Sequence, residues 1–199
     1  LLETILEGFI EYNYHHFFIS VNYKAEMVRR HFGNGSGWNV EIRYIEEKEP
    51  LGTAGALSML PEVPSEPIIV MNADVLTKIN FKHLLDFHRE QGSHATMCVR
   101  EYDLQVPFGV VNVESDRIVS IEEKPVHTFF VNAGIYVLDP GLLSLLPAPV
   151  PVDMPDFFER IIGAGHNTAV FPIREYWMDV GHIDDFKRAD GDFAKIFEE

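Results

Sequence analysis

Five short stretches of this sequence carry side chains able to do chemistry on a charged, oxygen-rich ligand. Asn72-Ala73-Asp74 follows directly on the apolar run Ile68-Ile69-Val70-Met71. Ligands of open α/β sheets sit beyond the carboxyl ends of the strands, so Asp74 is placed to hold Mg²⁺, a hard cation that bridges carboxylates to phosphate. The same residue equally suits a turn, capping the next element. Glu122-Glu123-Lys124-Pro125 sets an acid beside a base, to grip sugar hydroxyls and phosphate, or simply to make solvated surface. Glu49-Pro50-Leu51-Gly52-Thr53-Ala54-Gly55-Ala56 puts two glycines at a loop-to-helix junction, where a ligand can approach bare backbone amides; a tight turn has the same composition. Asn132-Ala133-Gly134 interrupts an apolar strand, where glycine marks close approach of a ligand or another backbone, or a packing accommodation. Trp177-Met178-Asp179-Val180-Gly181 also reads as a β-turn. None of the nine histidines has metal-ligand spacing, and none is assigned a site.

The elements that must position these residues follow from periodicity. Leu2, Ile5, Leu6, Phe9 and Ile10 have the spacing of an amphipathic helix. That pattern already runs at residue 1 without a cap, so the chain reads as cut on its N-terminal side. Phe17–Val21 is a short apolar strand, 25–32 a helix closed by a Gly-rich stretch, and 40–45 a strand. A Gly-rich turn leads into a short helix within 50–60. Ile68–Met71, flanked by Pro67 and Asn72, is a buried strand. A helix over 81–90 and a strand over 95–100 come next. A hairpin of 109–113 and 117–122 turns at Ser115-Asp116, and a strand covers 129–138. Beyond Pro147–Pro155 the pattern predicts a helix over 156–162, a strand over 168–172 and a helix over 184–197. βα units first and β-rich segments later predict one α/β domain over 1–199, with a mostly parallel mixed sheet and helices on both faces.

Composition removes whole classes of function. A net charge of −15 over 199 residues argues against nucleic acid. Cys98 is the only cysteine, so there is no intrachain disulfide and no Cys-based zinc site; it reads as a small strand residue. No run approaches the ~18 apolar residues of a membrane span, no signal peptide is recognised, and the expected compartment is the cytoplasm.

Taken in order, Leu51-Gly52-Thr53-Ala54-Gly55, Asn72-x-Asp74, Phe108-Gly109-Val110, Glu123-Lys124-Pro125, Asn132-Ala133-Gly134-Ile135-Tyr136 and Trp177-x-Asp179-x-Gly181 resemble the sugar-1-phosphate nucleotidyltransferases. The likeness extends over essentially the whole chain and is closest to the mannose-1-phosphate guanylyltransferase-like branch. It implies a Rossmann-like nucleotide-diphospho-sugar transferase fold. A sugar phosphate oxygen would attack the α-phosphate of a nucleoside triphosphate, GTP by preference, and pyrophosphate would leave. The resemblance implies Asp74 and Asp179 as Mg²⁺ ligands, catalytic together with Lys124 at the phosphate. It implies Glu123, Gly109 and Asn132 around the sugar, and Gly52, Thr53, Ala54, Gly55 and Asn72 near the nucleotide.

Two departures bear on activity. Ala73 stands where the family more often has glycine. The family's N-terminal strand and Gly-rich loop, with its Arg and Pro-Lys-Pro stretch, is not among these residues, so this chain is expected to be impaired and to associate with other copies through an exposed strand edge. The branch includes bacterial proteins that carry a regulatory domain pair of cystathionine-β-synthase type ahead of the transferase, and no such pair lies within the 199 residues. Two rivals remain: a non-catalytic regulatory or sensor subunit of the same fold, and a glycosyltransferase of similar fold.

Overall fold

The computed structural model describes residues 1–146 and 149–181. The helix expected over 184–197 lies outside them, as does part of the Pro147–Pro155 stretch. At the centre is a four-stranded sheet in the order β3 (Ile68–Met71), β8 (Val126–Leu138), β5 (Ala95–Gln105), β9 (Thr168–Pro172). β8 runs antiparallel to both β3 and β5, and β9 is parallel to β5. A separate parallel pair joins β1 (His16–Val21) to β2 (Glu41–Glu46). The mixture leans further toward antiparallel pairing than the alternating pattern implies. The reason is β8, which returns between two strands it opposes.

Alternation along the central strands divides the core. Ile135 and Val137 face one cluster with Val75, Phe81, Leu84, Cys98 and Phe171. Tyr136 and Leu138 face another with Leu142, Met154, Phe157 and Ile161. The first face is covered by α1 (Leu2–Glu11) through Phe9 and by α4 (Phe81–Glu90). The second is covered by α5 (Met154–Gly163). Helices therefore lie on both faces, as strands with apolar residues on both sides require. Burying each large side chain such as Phe157 or Ile161 contributes roughly 1.5–3 kcal/mol. α4 starts where Asn80 accepts a hydrogen bond from the His83 amide at 2.9 Å, a side-chain N-cap. A third, smaller cluster of Leu6, Phe32 and Ile42 holds α1, α2 (Ala25–Phe32) and the β1–β2 pair together.

β5 and β8 outrun the sheet and continue as a two-stranded ribbon to Gln105 opposite Val126. Past a break at Val106–Phe108 and Lys124-Pro125, it becomes the hairpin of β6 (Gly109–Glu114) and β7 (Arg117–Glu123). Ser115 and Asp116 make its turn, with φ of 46° and 66°, both left-handed as a type I′ hairpin turn requires. Among the described residues no helix is long and apolar enough to cross a membrane.

Candidate active site

At the carboxyl end of β3 the chain turns through Asn72-Ala73-Asp74 and re-extends as β4 (Val75–Thr77), which pairs antiparallel with β10 (Trp177–Asp179). The sequence alone left the latter stretch open between a candidate site and a β-turn. In the ladder Asp179 faces Val75, and the Val180 amide donates to the Asp74 carbonyl at 2.8 Å. Two aspartates 105 positions apart, both exposed, thus come within one ladder position of each other.

The third component is a bulge in β8. Met97 of β5 faces Tyr136 and Val99 faces Asn132, so Ala133, Gly134 and Ile135 together oppose Cys98. Gly134 has φ +70°, and a Cβ there would meet the Asn72 side-chain nitrogen Nδ2 at 3.0 Å and the Val75 side chain at 3.1 Å. Its carbonyl accepts from the Asn72 amide at 2.9 Å. The glycine thus permits both the conformation and the close approach of the Asn72 turn.

The bulge is pinned from two sides. The Asn132 side chain donates to the Tyr136 hydroxyl at 2.7 Å and accepts from the Gly134 amide at 3.0 Å. The Trp177 indole donates to the Ala133 carbonyl at 2.8 Å, tying β10 to β8. Burial raises the Tyr136 hydroxyl above the ordinary phenol range, partly offset by its bond to Asn132, with smaller upward pushes from Cys98 and Asp74. It therefore stays protonated and neutral. The roles of Tyr136 and Trp177 escaped sequence reasoning. The signals were the glycine inside an apolar strand and the place of both residues in the motifs that carry the family resemblance.

Asn72, Asp74, Asn132 and Asp179 are therefore gathered at one end of the sheet. No group of three or more His, Cys, Asp or Glu side chains able to hold a metal occurs among the described residues. Two carboxylates suit Mg²⁺, which typically takes one or two from protein and the rest from water and phosphate.

The other predicted residues lie elsewhere. Gly109 pairs with Glu123 at the start of the hairpin, and the Glu123 carboxylate lies over Gly109. Lys124 follows in the break between ladders with φ 48°, a left-handed conformation that non-glycine residues seldom adopt. β8 is extended from Val126 to Asn132, so at ~3.3 Å per residue these three stand on the order of 20 Å along the ribbon from Asn132.

Leu51–Gly55 is also not an open amide cradle. Here α3 (Gly52–Gly55) packs on residues 150–154. The Thr53 amide donates to the Asp153 carboxylate, and the Ala54 and Gly55 amides both donate to the Val152 carbonyl. In return the Met154 amide donates to the Thr53 hydroxyl at 2.7 Å. Ala54 and Gly55 are buried. The glycines serve this docking, because nothing larger fits against the backbone at 150–152.

Comparisons with known proteins bear on the family and the fold. A family model described as nucleotidyl transferase matches residues 1–195. The chain is 34% identical over 178 residues to a mannose-1-phosphate guanyltransferase of Debaryomyces hansenii, covering 84% of this chain and 49% of that protein. It is 30% identical over 191 residues to the mannose-1-phosphate guanylyltransferase catalytic subunit beta of Danio rerio, covering 91% of this chain and 52% of that one. The chain thus spans about half the length of these curated relatives. Among solved structures, a putative glucose-1-phosphate thymidylyltransferase from Bacillus anthracis in complex with a sucrose superposes with TM-score 0.74 at 19% identity, over 96% of this chain and 80% of that one. HddC from Yersinia pseudotuberculosis complexed with GMP-PN gives 0.72 at 22%, over 96% and 84%. These two likenesses speak for the fold, and the match over 195 of 199 residues speaks for the family: this chain belongs to the nucleotidyl transferases.

Proposed function

We propose that the protein transfers a nucleotidyl group, GMP from GTP, to a sugar 1-phosphate. The observation that carries the proposal is the β4–β10 ladder, which sets Asp179 beside Asp74 next to Asn72 and the Asn132 bulge. In the reaction an oxygen of the sugar phosphate forms a bond to the α-phosphorus. The bond from that phosphorus to the bridging oxygen breaks, and pyrophosphate leaves with the electron pair. Such chemistry asks a protein mainly for positioning and charge neutralisation. Asp74 and Asp179 would hold Mg²⁺, which when bound supplies charge neutralisation at the phosphates. Asn72 lines the nucleotide side. Asn132, fixed by Tyr136, presents its amide to the sugar. Glu123 and Lys124 are assigned to sugar hydroxyls and phosphate, reached by bending of the ribbon at the break beside Pro125. Leu51–Gly55 borders the nucleotide as a packed wall and not as an amide cradle. The guanine preference rests on the mannose-1-phosphate guanylyltransferase relatives. A nucleoside triphosphate substrate fits a cytoplasmic location.

The test is pyrophosphate release by the full-length protein with GTP and mannose 1-phosphate, UTP and dTTP serving as competitors. Asp74→Ala and Asp179→Ala should each lower the rate by a factor of about 10²–10³ or more, with little change in unfolding midpoint, since both carboxylates are exposed. Undiminished turnover in Asp74→Ala would sink the assignment. Binding of both substrates without turnover would identify a sensor subunit instead, and release of free nucleoside diphosphate a glycosyltransferase.

A further inference from the structure

β10 carries Asp179 and has only three residues, paired with the three of β4 in a ladder of their own. An isolated two-stranded pair is marginal in water, so Asp179 stays beside Asp74 only as firmly as the chain entering β10 is held. That chain comes from β9, whose ladder with β5 ends at Pro172 opposite Val99. The Ile173 amide adds one more bond, to the Val99 carbonyl at 2.8 Å. Residues 174–176 then cross from one sheet to the other outside any ladder. Arg100 of β5 reaches into this crossing. Its Nη1 donates to the Ile173 carbonyl at 3.0 Å and to the Glu175 carbonyl at 3.1 Å. The Tyr176 carbonyl, next along, accepts from the Lys78 amide at 3.0 Å and the Thr77 hydroxyl at 2.9 Å. The crossing is thereby fixed at its entry from β5 and at its exit by the end of β4.

The partners of Arg100 set it apart. The chain holds 31 Asp and Glu against 16 Lys and Arg, yet no ion pair among the described residues includes Arg100. Glu175, the acidic residue of the crossing, is turned back on its own backbone and accepts from the Arg174 amide at 3.0 Å. The guanidinium is left to the two carbonyls. It stays charged at every working pH, and hydrogen bonds from a charged donor are stronger than neutral ones. Arg100 lies opposite Val131, and its neighbour Val99 opposite Asn132, so the tether is rooted in the stretch of β5 that backs the Asn132 bulge. We propose that Arg100 is a positioning residue for the metal site: it fixes the crossing at 173–176, and through it the register in which β10 sets Asp179 beside Asp74. It acts through the backbone and is assigned no contact with metal or substrate. The inference rests on the reading of Asp74 and Asp179 as Mg²⁺ ligands.

The test uses the full-length protein with Arg100→Met, which removes the donors, and Arg100→Lys, which keeps one charged nitrogen. Binding of the Mn²⁺ complex of a non-hydrolysable GTP analogue is followed by water-proton relaxation. It should weaken roughly 10–100-fold in Arg100→Met, the usual cost of losing a group that orients a metal ligand, while binding of the metal-free analogue stays as it was. Hydrogen exchange should quicken in the peptide holding the Val180 amide, whose bond to the Asp74 carbonyl reports the register of β10, and stay slow at 135–138. Arg100→Lys should recover most of the metal binding, because both native bonds come from a single nitrogen. A role in stability alone would lower the unfolding midpoint and leave metal binding by the folded protein unaltered, and that result would overturn the proposal. So would unaltered exchange at Val180, or a lysine variant as weak as the methionine one. If Arg100→Met folds poorly, Arg100→Gln, a polar side chain too short to span both carbonyls, is held to the same outcomes. Asp179→Ala separates this inference from the reading beneath it. If that variant binds the Mn²⁺ complex as tightly as the unsubstituted protein, the metal assignment fails and the proposal with it. If it binds weakly while Arg100→Met does not, the proposal alone fails.

Discussion

Asn132 is held at both ends of its amide, by the Tyr136 hydroxyl and by the Gly134 backbone, so its orientation is set before any ligand arrives. Such preorganisation helps recognition because the side chain loses little freedom on binding. Tyr136→Phe removes only the acceptor oxygen. The Asn132 amide then has one restraint instead of two, and the stability change should be about 1 kcal/mol. On the proposed function, the KM for sugar 1-phosphate should rise several-fold while kcat and the KM for GTP stay near their starting values, the pattern of a lost binding contact. An unchanged sugar-phosphate KM in steady-state assays would show that Asn132 does not face the sugar. Asn132, Asp74 and Asp179 were legible in the sequence as residue types in a particular order. What holds them was not, because the Trp177 bond to Ala133 joins residues 44 positions apart and leaves no local pattern.

Among the elements, those with a long apolar period were the legible ones. The boundaries read for α2, α4, β3 and β9 coincide with the structure, since each carries a full helical turn or a continuous apolar run between breakers. β4 and β10 have three residues each, too few to show alternation, and they exist because they pair with each other. The same limit explains α3. Two glycines signal a close approach but not to what, and the approach is to residues 150–154. Gly52→Ala tests that reading. The new methyl would stand 2.6 Å from an Asp153 carboxylate oxygen and 2.7 Å from the Val152 carbonyl oxygen, at φ +72°. The left-handed conformation alone costs an alanine roughly 1–2 kcal/mol, and the clash adds to it, so urea unfolding should show a loss of about 2–3 kcal/mol. Gly163→Ala is the control. It lies in α5 with nothing within 4 Å of its would-be Cβ, and the substitution should be neutral or stabilising by up to ~1 kcal/mol. Equal losses at the two positions would show that the Leu51–Gly55 contact is not what fixes Gly52.

On the scale of the whole molecule, the sheet is unevenly sealed. Tyr136 of β8 is flanked by Val70 on one side and Met97 on the other, and Ile135 to Leu138 are all essentially buried. β3 carries an equally apolar sequence, yet all four of its residues are only half-buried. Its described partner is β8 alone, and that of β1 is β2 alone. In an antiparallel edge strand alternate amides point away from the ladder, and with no partner they exchange with water. Native-state hydrogen exchange on the dilute 199-residue polypeptide should therefore divide the sheet. Amides of 135–138 should exchange only near global unfolding, while alternate amides of 68–71 exchange orders of magnitude faster through local opening. The difference matters for function because β3 ends in Asn72 and Asp74. A loosely held β3 would let the Asn72 turn drift from Gly134, and a site misplaced by about 1 Å can lose 10²-fold in rate. Uniform protection across 68–71 would show that another strand covers this edge, and the positioning of Asp74 would then be as firm as that of Asn132.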